Sequence, residues 1–164
     1  MSKCFRHRSV SRGAVVAASL VSLAGASLAM SGPAAADPPV PPNVWIQCSG
    51  FTGPNTTWPH PLTGCISRQG GGSGYTQRTA PGTETIFWNA PFQKGESIQL
   101  INIANQPLGP TGACPADHPF EVNVSGEIGL GANNLSRSPV RATICANATD
   151  FVLKPGTLFT IFKK

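Results

Sequence analysis

The sequence has 164 residues, a formal charge of +5 and five cysteines, enough for one domain with a real core. Much of that charge is concentrated at the start, where Lys3, Arg6, Arg8 and Arg12 precede the apolar run Ala14–Met30. Past residue 36 the chain carries eight Lys and Arg against seven Asp and Glu, a formal +1, so basic charge gives no reason to expect a nucleic-acid or anionic-membrane partner.

The positive start, the apolar run and the small residues Ala34-Ala35-Ala36 together have the layout of a secretory signal. The apolar run is short for a membrane span of ~20 residues, so no stable membrane insertion is expected after cleavage. The expected organisation is a signal peptide over 1–36 with its signal helix removed, a proline-rich lead-in over 37–43 and a single domain over 44–164. Cys4 leaves with the signal, and Cys48, Cys65, Cys114 and Cys145 remain. An even number in an exported chain implies two disulfides in an oxidising, extracellular setting. Of the three possible pairings, Cys48–Cys65 and Cys114–Cys145 close the shorter loops at the lower entropy cost. No CxxC pair or nearby histidines suggest a metal instead.

Taken in order, Val44–Cys48 is the first strand candidate. Ser49–Gly64 reads as a long loop or irregular edge, with Trp58 inside WPHP, where Pro59 and Pro61 exclude a helix. Cys65–Arg68 is a short strand, and Gln69–Tyr75, QGGGSGY, reads as a flexible exposed turn. Pro81-Gly82 turns into the strand Thr83–Trp88, and Asn89–Glu96 connects it to Ser97–Ile103. In that strand Ile98 and Leu100 share one phase and Ile101 and Ile103 the other. Either both faces are covered or a bulge near Leu100 resets the register. Gln106–Pro119 reads as loop.

Phe120–Ile128, FEVNVSGEI, has the clearest pattern in the chain. Phe120, Val122, Val124 and Ile128 alternate with Glu121, Asn123, Ser125 and Glu127, so one face is expected to be buried and the other wet. A polar turn over Gly129–Ser138 leads to Val140–Ala146, then to the short segments Phe151–Leu153 and Leu158–Phe162 around Pro155-Gly156. No stretch past the signal carries helical periodicity. The expected fold is all-β: a small β-sandwich, Ig-like in architecture, or a barrel, tied by two disulfides.

Catalytic patterns are missing. No G-x-S-x-G occurs, and Ser73 sits in a glycine run that would not hold an oxygen in place. Asp117 and His118 are sequence neighbours, which ordinarily point apart, and His118 reads as a solvated loop histidine. Glu121 and Glu127, six positions apart on one strand, would be separated by roughly 20 Å, too far for a glycosidase pair. No enzyme activity and no cofactor are expected. Among the aromatics, Trp45 and Trp88 read as core, whereas Trp58 is the candidate ligand contact, its alternative being a cap over the end of a core.

The run PGTETIFWNAPFQKGESIQL, the following C-P-A, the strand V-x-V-S-G-E-I and the terminal I-C-A-N…L-K-P-G-T-L-F-T-I resemble small exported actinobacterial proteins of uncharacterised function, over about residues 44–162. The resemblance implies compartment and architecture and transfers no functional residue. The leading expectation is a non-enzymatic secreted or cell-envelope-associated β domain with an extracellular partner. Alternatives are a carbohydrate or small-ligand binding module using Trp58 and a protease inhibitor using the loop Thr63–Arg68.

Mass spectrometry of the exported protein is expected to find Asp37 at the N-terminus and no thiol among the four remaining cysteines. Retention of the first 36 residues, or any free thiol, would contradict this organisation.

Overall fold

The structure, a computed structural model, describes residues 39–129 and 133–164. The expected signal helix lies outside those residues. Nine strands follow in chain order: β1 Val44–Pro54, β2 His60–Ser67, β3 Gly70–Ala80, β4 Thr83–Trp88, β5 Ser97–Gly109, β6 Phe120–Ile128, β7 Pro139–Ala146, β8 Asp150–Leu153 and β9 Phe159–Phe162. From β1 to β8 each strand pairs antiparallel with the next. The first strand then pairs with both β8 and β9, which closes the sheet.

The closure is made in two pieces. Thr52–Pro54 of β1 face β8, while Val44–Cys48 face β9. On the other side, Ile144–Ala146 of β7 face β8 and Val140-Arg141 face β9. The two short strands are thus consecutive parts of a single stave, interrupted by residues 154–158 with their Pro155-Gly156 turn. The result is an eight-stave antiparallel barrel with one stave split. Of the two architectures open to an all-β chain of this kind, the barrel is the one adopted, because the ladder continues around to its starting strand.

Both disulfides have the expected pairing. Cys48 and Cys65 are register partners on β1 and β2, and Cys114 joins the β5–β6 loop to Cys145 on β7. The loops they close, with sequence separations of 17 and 31 residues, correspond to ~3.1 and ~3.7 kcal/mol in the chain-entropy treatment. The second bond clamps residues 110–119 over the outside of β6 and β7. Beneath that loop, Glu121 is buried at 7 % exposure. Lys154 Nζ donates to Glu121 Oε1 at 2.8 Å, and Thr111 Oγ1 donates to Oε2. The lysine first, and then the threonine, hold the Glu121 carboxyl below its ordinary value.

Several expectations need correction. The glycine run is exposed over Gly70–Gly72 as expected, but it forms the first half of β3 rather than a turn. A Cβ on Gly72 would come within 2.2 Å of Phe92 Cβ, and one on Gly74 within 2.6 Å of the Phe87 carbonyl and 2.7 Å of the Trp88 ring. The run is glycine because two aromatic side chains lie across it. Ser49–Gly64 is mostly strand, since β1 continues to Pro54 and β2 begins at His60. Likewise β5 continues to Gly109, so the expected loop from Gln106 starts later. The phase slip in β5 is a bulge: the register shifts between Ile101 and Ala104, where Asn102 has φ 54°.

The strand β6 has the expected bounds, but Phe120, expected on the buried face, is 51 % exposed at its end, and Glu121 on the expected wet face is buried. The covering loop explains the second departure.

Gly74→Ala should lower stability by about 1–3 kcal/mol, a loss of several degrees in melting temperature, because the methyl meets backbone as well as the Trp88 ring. Ser73→Ala, next door on the other phase, gives up the exposed hydrogen bond that Asn89 Nδ2 donates to its Oγ and should cost less, under about 1 kcal/mol. Equal losses would contradict the placement of Trp88 across β3.

Candidate functional site

Because the strands run up and down, alternate connections fall at alternate ends of the barrel. The β1–β2 loop Asn55–Pro59, the β3–β4 turn at Pro81-Gly82, residues 110–119 and the β7–β8 turn Asn147–Thr149 share one end. At the other end the interior is full. Ile46, Trp88, Phe92, Ile98, Ile128 and Ile161 are buried there, with Trp88 and Phe92 edge to face at 5.3 Å.

Toward the first end the inward side chains are smaller. Val122, Val124 and Gly126 on β6 stand beside Ala142, Ile144 and Ala146 on β7, and a cavity of about 350 Å³ is left open. That lies within the ~300–1,000 Å³ usual for small-molecule sites. An eight-stranded barrel has room either for its own side chains or for one small ligand, and here the two ends take different options. The cavity also explains why Val122 and Val124 are only half-buried although they occupy the inward phase: they face open space.

The wall carried by β8, β1 and β2 is aromatic. Phe51 packs on Phe151 and Phe159, with centroids 4.9 and 5.3 Å away. His60 meets Phe151 edge-on at 5.0 Å, and Trp58 lies over His60 at 5.1 Å. Local sequence explains the placement. Trp58, His60 and Leu62 are spaced by two, so they share a phase as the chain enters β2, and Pro59 and Pro61 take the other. The histidine, expected in a loop, is 5 % exposed. Its Nε2 lies 2.9 Å from the Pro54 carbonyl oxygen and 2.8 Å from that of Thr57. Both partners only accept, so Nε2 carries the proton and donates to the loop it supports.

The rim is tied as well. Asn55 donates its backbone N–H to the Thr149 carbonyl at 2.8 Å and its side-chain amide to the Asn147 carbonyl at 2.9 Å. Asn147 Oδ1 accepts in turn from the Thr149 and Asp150 backbone N–H groups. On β3, the Arg78 guanidinium sits 5.2 Å from the Trp58 ring centroid.

Two polar groups in this region lack a partner. Thr76, 1 % exposed and opposite His60 across the β2–β3 ladder, lines the cavity with Oγ1 unbonded. Trp58 also lines it, and its buried Nε1 has no acceptor. Buried polar groups are nearly always paired. Glu84 is the one carboxylate among the lining residues described.

The structure brings Trp58 to the cavity and leaves the other sequence candidates elsewhere. Trp88 is core, and Trp45 packs against it. His118, expected to be solvated, keeps only 12 % of its side chain exposed, with Nδ1 3.3 Å from Asp117 Oδ2 and Nε2 3.2 Å from Asp150 Oδ1. The second contact is an ion-pair distance without hydrogen-bond alignment. The aligned tie of the covering loop is the Asn147 side-chain amide, which donates to the Asp117 carbonyl at 3.0 Å. Sequence reasoning missed Phe51, His60, Thr76 and Phe151, although the two-residue spacing of Trp58, His60 and Leu62 carried a usable signal. Comparison with protein-family models, curated proteins and solved structures finds no match.

Proposed function

We propose that this protein is an exported, non-enzymatic β-barrel that binds one small, largely apolar molecule in the open end of its interior. The observation that carries the reading is the aromatic-walled cavity of about 350 Å³ beside two unpartnered polar groups. A folded barrel gains stability by filling its interior, and the apolar face left open here would gain by burial against an apolar guest. The signal-like start and the two disulfides support an extracellular or cell-envelope setting.

Two other readings have less support. A pyranose platform needs an open aromatic face, whereas Trp58 is half-buried against His60 with Arg78 nearby. A protease inhibitor needs a projecting loop, whereas Thr63–Ser67 lie in β2 between two paired neighbours.

Titration of the exported chain with N-phenyl-1-naphthylamine, a neutral apolar fluorophore, should give saturable one-to-one binding with Trp fluorescence transferred to the probe. Ala146→Phe, which fills the cavity from β7, should weaken it at least about tenfold, or ~1.4 kcal/mol. Tyr75→Ala on the exposed face should leave it unchanged. Absence of saturable binding, or unaltered affinity in Ala146→Phe with native circular dichroism, would overturn the proposal.

A further inference from the structure

We infer that the ligand is an uncharged molecule with an apolar body and one hydrogen-bond-accepting oxygen, a long-chain or cyclic alcohol, ketone or ester, held at that oxygen by Thr76 and Trp58. The inference rests on the cavity being a binding site and adds the chemistry of its guest.

The argument begins with the two open valences. Thr76 Oγ1 and Trp58 Nε1 are out of water and without partners, and both residues line the cavity. They flank one ring: Thr76 is the ladder partner of His60, and the Trp58 ring lies tilted against it at 5.1 Å. His60 itself does not serve the ligand through Nε2, which is committed to the Pro54 and Thr57 carbonyls. Trp88 Nε1 and Ser138 Oγ also lack partners, but neither residue lines this cavity.

The donor types then select the guest. An indole N–H can only donate, so it calls for an acceptor and offers nothing to an ammonium head. A threonine hydroxyl can donate to the same oxygen or accept from an alcohol. A carboxylate head would also accept, but it would enter a low-polarity cavity whose one lining carboxylate is Glu84, and unpaired charge there is disfavoured. Arg78, the nearest cation to this wall, is placed against the Trp58 ring and does not line the cavity. Beyond the two donors the lining includes Asn55, Glu84, Asn105 and Ser125, and its apolar part, with Phe51, Ile103, Val122, Val124 and Ile144, suits a hydrocarbon body.

The test is displacement of N-phenyl-1-naphthylamine from the exported chain at pH 7 by probes that share one hydrocarbon tail: decan-1-ol, decan-2-one, decanoate and decylammonium. The alcohol and ketone are expected to bind at least about tenfold more tightly than either ion. Thr76→Val, which keeps the shape of the wall, and Trp58→Phe, which removes the indole N–H together with part of the ring, should each weaken decan-2-one binding by roughly five- to thirtyfold. Thr76→Val should change fluorophore affinity less than about twofold, since the wall keeps its shape and that probe has no oxygen to hold. Decanoate or decylammonium binding as well as the alcohol would overturn the inference, and so would unchanged ketone affinity in both variants. In either case retained fluorophore binding would leave the cavity reading intact. Failure of the fluorophore itself to bind would remove both.

Discussion

The ladder between β1 and the split stave is the constraint on which the rest depends. Open sheets expose unpaired N–H and C=O groups at two edges, and a closed barrel has none. Here the last two strands are each only four residues long, too short to complete a stave alone. Laid end to end, they satisfy successive halves of β1 and β7. The Lys154 N–H continues the ladder into the gap by donating to the Thr143 carbonyl at 2.9 Å. Closure also fixes the interior volume, because eight staves set a diameter that side chains must then fill or leave open.

The two ends answer that demand differently. At one end glycines on β3 receive the flat faces of Trp88 and Phe92, so large side chains meet absent ones and the space is filled. At the other, alanine and valine on β6 and β7 leave a gap beside Phe51, Phe151 and His60. A packing fault would be expected to collapse or to vary along its wall. This one is instead framed: His60 holds the β1–β2 loop by two carbonyls, and Asn55 joins that loop to the β7–β8 turn. Both residues also line the cavity, so the hydrogen bonds that tie the rim position part of its wall.

The legible parts of the sequence were those where local pattern and tertiary environment agree. The alternation in Phe120–Ile128 located β6 to the residue, and loop-closure entropy chose the disulfide pairing. The conflict of phase in Ser97–Ile103 implied a bulge as one of two explanations. What stayed hidden depends on partners distant in sequence. A glycine run carries no side-chain pattern, so its strand character becomes visible only once Phe92 and Trp88 are seen across it. Glu121 looks like a wet residue until Cys114 draws its loop over β7 and Lys154 supplies a counter-charge. Trp58 was selected for its isolation in a proline-rich loop, whereas His60 and Thr76 were missed because their significance lies in facing each other across a ladder. Architecture was therefore legible as all-β, and barrel against sandwich was not, since closure is a relation between β1 and strands about a hundred residues further along.

The central claim is that a guest occupies the barrel interior, between the aromatic wall and β6–β7. Isotope-filtered nuclear Overhauser spectroscopy of the protein with an unlabelled neutral apolar probe tests it most directly. The account predicts intermolecular contacts to the Val122, Val124 and Ile144 methyl groups and to the Trp58 indole, with none to the exposed Tyr75–Phe87 pair. Contacts confined to Tyr75 and Phe87, or to no inward-facing methyl, would contradict it.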